Sequence, residues 1–277
     1  MAGAVSSPVP FGDRLAAAVA ARSSQVVLGL DPDPRRVGDG APAAREFCLG
    51  AIRRAGDACV AVKPQVAYFE RLGPAGWEVL EEVAGAAGEA GLLVIADAKR
   101  GDIDVTARAY ADALVRAPFD AVTVNPMLGG DSVAPFVEAA RASGRGVFAL
   151  VRTSNPGAAD LQDLRLADGS AWHEAVARLV AAWGAGGVGA AGLSDVGAVV
   201  GATAAGHLAA LRALMPHQPM LIPGVGAQGG RPEDLGPAFA GVRAAAVVNA
   251  SRSITFADDP RAAAEDLRAA LWAVSGG

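Results

Sequence analysis

The feature that most limits what this chain can fold into is an alternation repeated eight times. A short apolar run of β type, closed by a polar, Gly or Pro residue, gives way each time to a longer Ala-rich segment with helical spacing. The runs are VVLGLD (26–31), CVAVKPQ (59–65), LLVIADAK (92–99), AVTVNP (121–126), GVFALVRT (146–153), VGAVVGAT (196–203), MLIPGVGA (220–227) and AAVVNAS (245–251). Strands alternating with helices pair in parallel through right-handed crossovers. A doubly wound sheet uses similar segments, so their number does not separate it from a (β/α)8 barrel. The polar residues do. Asp31, Lys63, Asp97 with Lys99, Asn125, Thr153, Thr203, Gly226 and Ser251 all fall at or just past the C-terminal ends of their strands, the rim on which barrel enzymes build their sites. The expectation is an α/β chain forming one (β/α)8 TIM-barrel domain over 1–277. A helix precedes the first strand, and the tail DDPRAAAEDLRAALWAVSGG reads as a closing helix.

Composition narrows the partners. With 277 residues and 52% hydrophobic side chains the chain can bury a full core, and no seam divides it. Its 24 basic and 29 acidic residues are mixed along the sequence, giving −5 overall, so no basic stripe exists to track a nucleic-acid backbone. Any anionic ligand must be held by local donors. Cys48 and Cys59 lie on unrelated segments with no metal-ligand spacing, which points to small core residues in a reducing, cytoplasmic setting. The N-terminal stretch lacks a basic start and carries Asp13 and Arg14 within its apolar part, the pattern of an N-capped helix rather than a signal peptide. From Leu179 to Leu211 the only formal charge is Asp195, but the stretch is mostly Ala and Gly, a poor bilayer span.

The stretch LLVIADAKRGDIDVTA (92–107) concentrates the chemistry. It begins as a plain buried strand and then places Asp97, Lys99, Arg100 and Asp102 within six residues. Asp97 and Lys99, two apart on a strand, share a face and can pair. In isolation this is also the make-up of an ordinary rim salt bridge with Arg100 and Asp102 in solvent. A barrel, however, brings Asp31 and Lys63 to the same mouth, in alternating sign. Such a network keeps a lysine protonated and aimed, with a carboxylate beside it, the arrangement for giving a proton to a developing carbanion.

At the other end of the chain, PGVGAQGG (223–230) follows the seventh strand and NASRSI (249–254) follows the eighth. Loops after these strands are the recurrent phosphate site of barrels, because glycines let backbone amides approach an anion and Arg252 can clamp it. In VRTSNPG (151–157), Ser154 fits either recognition of a polar ring edge or simple turn chemistry. His173, His207 and His217 fall away from strand ends and receive no catalytic role, and Glu70 reads as a helix-face charge. No ligand set demands a metal.

VIADAKRGDIDVTA resembles the signature of the orotidine 5′-phosphate decarboxylase family: an apolar pair, Asp-x-Lys-x-x-Asp, a branched apolar residue and Thr three later. Asp97, Lys99, Asp102, Ile103 and Thr106 occupy those places. The resemblance extends to GLDPDP, VKPQVAYFE, TSNPG, PGVGAQGG and ASRSI, and is to the longer bacterial type. It implies an enzyme needing no cofactor and no metal that converts orotidine 5′-monophosphate to uridine 5′-monophosphate and carbon dioxide, the last step of UMP synthesis. On this likeness Lys99 protonates ring carbon six and Asp97 lies beside the departing carboxylate. Lys63 and Asp31 complete the network and hold ribose hydroxyls, and Ser154 binds the pyrimidine edge. Gln228 and Arg252 hold the phosphate, with Pro223 in the same loop. Ser251, where compact relatives carry glycine, and Ile103 count among the substrate-binding positions. Asp102 and Thr106 reach into the neighbouring subunit's site, implying a homodimer.

A magnesium-dependent sugar-phosphate decarboxylase or synthase of the same superfamily shares Asp-x-Lys-x-x-Asp, but those relatives tend to carry glutamate where this chain has Lys63. A Schiff-base aldolase needs a desolvated, neutral lysine, and Asp97 keeps Lys99 charged. A phosphate-binding barrel without turnover has no use for a proton donor.

Overall fold

The computed structural model describes residues 8–226 and 229–276. Each of the eight expected runs forms a strand: β1 (Val26–Leu30), β2 (Ala61–Pro64), β3 (Leu93–Arg100), β4 (Ala121–Val124), β5 (Gly146–Arg152), β6 (Val196–Val200), β7 (Met220–Pro223) and β8 (Ala246–Ala250). All pair in parallel and in order, and β1 pairs β8 to close the barrel. The strands stop short of the expected ends where the chain turns into 3-10 helix, at Pro126–Leu128 after β4 and Ala202–His207 after β6.

The period of two along each strand sorts side chains into two cores. Val26, Leu28, Val62, Val94, Val122, Val147, Val196, Ile222 and Val248 point outward and pack beneath the surrounding helices. Val27, Ala61, Ile95, Ala121, Phe148, Leu221 and Val247 point inward and fill the lower barrel. The helix Phe11–Arg22 plugs that lower end through Phe11, Leu15 and Val19. Phe11 meets Phe148 edge to face, with centroids 5.9 Å apart. This close filling requires Gly197, since a Cβ there would lie 2.6 Å from the Phe148 ring. Pro10 occupies the position before the plug helix and no side chain caps it, so the N-capping read from the sequence is replaced by anchoring of its apolar face.

The last helix, Pro260–Val274, starts at Asp259, whose carboxylate accepts the Arg261 and Ala262 N–H groups. Cys48 and Cys59 are fully buried, and burial pushes the Cys59 thiol up to about 12, so neither serves as a nucleophile. Among the described residues no helix is long and apolar enough to cross a membrane.

Candidate active site

Above the filled lower layers, the last inward-facing residues of the strands line a cavity of about 500 Å³ at the C-terminal rim, a size that suits a small-molecule ligand. Its wall is divided by chemistry. One side carries Asp31, Lys63, Gln65, Asp97, Lys99, Thr123 and Asn249, from β8 through β1 to β4; the other carries Leu150, Val199, Leu221 and Pro223, from β5 to β7, with the neutral polar residues Thr153, Ser154, Asn155 and Gln162 above them after β5. A planar ring placed in this cup meets charge on one side and uncharged surface on the other.

Asp97 is the hub. It is 7% exposed, and each carboxylate oxygen accepts two hydrogen bonds. Oδ2 accepts from Lys63 Nζ at 2.8 Å and Gln65 Nε2 at 3.2 Å. Oδ1 accepts from Lys99 Nζ at 2.5 Å and Thr123 Oγ1 at 2.9 Å. Burial raises the Asp97 carboxyl, but the ammonium groups of Lys63 and Lys99 outweigh it and hold its pKa well below the usual carboxylate range. Burial likewise lowers Lys63, while the Asp97 and Asp31 carboxylates outweigh that and raise its pKa. Both groups are therefore ionised at neutral pH. Lys63 is sealed in, whereas the Lys99 side chain is 43% exposed toward the opening.

The pairing of Asp97 with Lys99 does not come from regular strand geometry. Lys99 has φ of 47°, in the left-handed region that non-glycine residues rarely adopt, and the β3–β4 register shifts between Ala96 and Arg100. The strand is bulged where Lys99 sits. Glu70, read from sequence as a helix-face charge, ends the helix Val66–Glu70 and pairs with Arg100, which also lies over the Tyr110 ring at 5.3 Å.

Among the described residues, three buried polar atoms at the β1 and β8 ends have no hydrogen-bond partner: Asp31 Oδ1, Asn249 Oδ1 and Ser251 Oγ. Gln25 and Gln218 each carry an unpaired buried oxygen as well, away from the cavity; the three at these strand ends stand where a ligand's polar groups can reach them. Asp31 also lines an adjoining hollow of about 230 Å³ with Arg35, Arg36, Tyr68 and Arg252. Arg252 opens the short helix Arg252–Thr255 and is exposed there.

The loop after β5 is braced from behind. Gln162 accepts the Thr153 N–H at 2.8 Å, His173 Nδ1 lies 2.7 Å from the Gln162 carbonyl, and Arg152 holds Asp163 through two bonds of 2.8 and 2.9 Å. His173 and His207 stack edge to face behind this brace and do not line the cavity. Thr203 donates to the Ser154 carbonyl at 3.3 Å.

Of the residues singled out in the sequence, Asp31, Lys63, Asp97, Lys99, Ser154 and Pro223 come together around the cavity. Asp102, Ile103 and Thr106 do not line it; they lie after the bulge and at the start of the helix Asp104–Arg116, with Ile103 56% exposed. Gln228 lies outside the described residues. Gln65, Thr123 and Asn249 were missed. The only available signal was a polar side chain interrupting an apolar run, as in AVTVNP and AAVVNAS.

A closed parallel barrel that sets two lysines on one buried carboxylate at its C-terminal rim defines a (β/α)8-barrel enzyme poised for proton donation. Residues 24–267 match the Orotidine 5′-phosphate decarboxylase / HUMPS family. The orotidine 5′-phosphate decarboxylase of Rhodopirellula baltica is 44% identical over 268 residues, covering 89% of this chain and 88% of that one. That of Haloarcula marismortui is 43% identical over 263 residues, covering 92% and 90%. The structure of Leishmania donovani OMP decarboxylase superposes with a TM-score of 0.83 at 38% identity, covering 96% of this chain and 99% of that one. The chain belongs to the Orotidine 5′-phosphate decarboxylase / HUMPS family.

Proposed function

We propose that this enzyme decarboxylates orotidine 5′-monophosphate to uridine 5′-monophosphate and carbon dioxide, completing UMP synthesis. The observation that carries the reading is the position of Asp97, ionised and fixed between Lys63 and Lys99 at the mouth of a cup whose far wall carries no charge. The pyrimidine lies against Leu150, Val199 and Leu221 with its carboxylate beside Asp97. The C6–carboxylate bond breaks, carbon dioxide leaves, and the electron pair left on C6 takes a proton from Lys99 Nζ. Lys99 regains a proton from solvent through its exposed face.

Repulsion between Asp97 and the substrate carboxylate is not the whole driving force. Two like charges ~4 Å apart at an effective dielectric of ~20 cost about 4 kcal/mol, worth roughly a thousandfold in rate. The Lys99 ammonium supplies a second part by stabilising the carbanion as it forms. Binding energy from the remote phosphate supplies more.

Asp31 and Asn249, with unpaired buried oxygens, accept ribose hydroxyls next to Lys63. Ser154 meets the pyrimidine edge, and Arg252 with Gln228, near Pro223 and Ser251, holds the phosphate. The hollow joining Asp31 to Arg252 supports this direction for the nucleotide. The active form is a cytoplasmic homodimer in which Asp102 and Thr106 complete the partner's site, Ile103 contacts substrate, and residues 1–277 act as one barrel unit.

The magnesium-dependent alternative finds no support in the geometry. Lys63 directs its ammonium at the carboxylate a cation would need, and among the described residues no group of three or more His, Cys, Asp or Glu side chains is placed to hold a metal ion. Purified protein with excess chelator is expected to consume orotidine 5′-monophosphate, followed by the loss of its absorbance. Lys99→Ala is expected to abolish turnover while still binding UMP. Turnover of a sugar phosphate only on adding magnesium, with none of orotidine 5′-monophosphate, overturns the reading.

A further inference from the structure

β4 sends one polar side chain into the cavity wall, Thr123, 1% exposed. Its hydroxyl touches both halves of the proton-donor assembly. Thr123 Oγ1 accepts the Lys99 backbone N–H at 2.9 Å and donates to Asp97 Oδ1 at 2.9 Å. A hydroxyl has one proton and two lone pairs, so accepting from the first and donating to the second are compatible and use its only proton.

These two bonds fall where β3 leaves regular pairing. Ala96 lies opposite Val122 and Arg100 opposite Val124, so four steps along β3 are matched by two along β4. Lys99 takes φ of 47° within this bulge. Its N–H, turned away from the strand ladder, is buried against the Thr123 hydroxyl instead. Left-handed backbone at a non-glycine residue persists only where its surroundings hold it, and Thr123 Oγ1 is the side-chain group that does so at the Lys99 amide. The same oxygen completes the set of four donors on Asp97, two to each carboxylate oxygen. Without it, Oδ2 stays held by Lys63 and Gln65, but Oδ1 retains only the half-exposed Lys99 ammonium.

We infer that Thr123 is a positioning residue that fixes the Lys99 backbone and the Asp97 carboxylate relative to one another for proton delivery. Thr123 reaches the reacting atoms only through those two residues. The inference rests on the decarboxylase reading for its kinetic consequence, but its structural core can be measured without substrate.

The test compares Thr123→Val, which keeps the shape and removes the hydroxyl, with Thr123→Ser, which keeps the hydroxyl. Misplacement of catalytic groups by about an ångström costs on the order of a hundredfold in rate. Thr123→Val is therefore expected to lower kcat by tenfold to a hundredfold, both rough figures on the same scale, with KM little changed. Thr123→Ser is expected to stay close to wild type. In the substrate-free protein, hydrogen exchange at the Lys99 amide is expected to accelerate in Thr123→Val and not in Thr123→Ser. Should Thr123→Val fail to fold, Thr123→Ala carries the same comparison. Wild-type kcat and unchanged Lys99 amide exchange in the hydroxyl-free variant overturn the inference, as does an equal loss in Val and Ser variants, which would show that keeping the hydroxyl does not preserve activity. If the wild-type protein itself leaves orotidine 5′-monophosphate untouched, the decarboxylase reading fails, and the amide exchange still decides whether Thr123 holds the bulge.

Discussion

Lys63 Nζ lies 2.8 Å from Asp97 Oδ2 with both side chains nearly sealed from water, 5% and 9% exposed. The second lysine on the same carboxylate, Lys99, is 43% exposed. One ammonium is thus committed to holding Asp97 ionised, and the other is held by Asp97 yet open to the cavity. Breaking a buried pair leaves an uncompensated charge in the interior, whereas a half-exposed pair is replaced by water.

The two lysines should therefore separate in stability. Lys63→Met is expected to cost about 3 kcal/mol or more in urea unfolding. Lys99→Met, which leaves Asp97 paired with Lys63, is expected to cost no more than about 1 kcal/mol. Equal losses would show that burial does not distinguish them.

The Asp97 carboxyl gives the pair a signature in acid. Its folded pKa is depressed below the unfolded value, which for Asp is about 3.9. The folded state then binds fewer protons than the unfolded one, so the stabilisation is fully present above that value and is lost as pH falls below it toward the folded pKa. Unfolding free energies measured from pH 7 to pH 2.5 should show the gap between wild type and Asp97→Asn narrowing below about pH 4. Parallel curves would mean that Asp97 has no depressed pKa. Lys63 works at the opposite end. Its raised pKa means that its contribution persists below the unfolded lysine value of about 10.4 and is lost only as pH rises through the folded one.

Ser154 sits where it does because Gly201, at the end of β6, has no side chain. A Cβ at Gly201 would lie 2.7–2.8 Å from the Ser154 backbone and Cβ. Backbone cannot yield as a flexible side-chain tip can. Gly201→Ala is expected to displace the β5 loop at a cost of about 1–3 kcal/mol and to raise KM for orotidine 5′-monophosphate more than it lowers kcat. A variant with wild-type KM and stability would place Ser154 outside substrate recognition.

Much of this was legible in the sequence because apolar runs closed at one end by a polar, Gly or Pro residue and followed by a helical segment have few physical explanations. All eight strands could be located that way, and Asp31, Lys63, Asp97 and Lys99 lie together as their strand-end positions required. Thr123, Asn249 and Gln65 escaped notice because a neutral polar residue inside an apolar run carries no sign, and which rows of neighbouring strands share a layer depends on the barrel's stagger. The Lys99 bulge was equally hidden. Alternation along a strand puts residues 97 and 99 on one face, and the structure reaches the same pairing through a backbone conformation that no local propensity favours. Glu70 lies on a helix face as read, but its pairing with Arg100 was hidden because the two are thirty residues apart in sequence.

Asp102, Ile103 and Thr106 define the remaining question, because they carry the family pattern yet line no part of the cavity in their own chain. They begin a surface on which Ile103, Val105 and Tyr110 are 56%, 71% and 37% exposed, apolar area of the kind that a partner subunit covers. If Asp102 serves the partner's site, a dimer of one Lys99→Ala chain and one Asp102→Ala chain contains one site with both residues intact and one with neither. Random mixing makes half the dimers mixed, so about a quarter of wild-type activity should return in a twofold dimer. If Asp102 serves its own chain's site, every site in the mixture lacks one residue and nothing returns. Unfolding and re-forming the mixed dimers, followed by verification of the heterodimer by mass, separates the two cases.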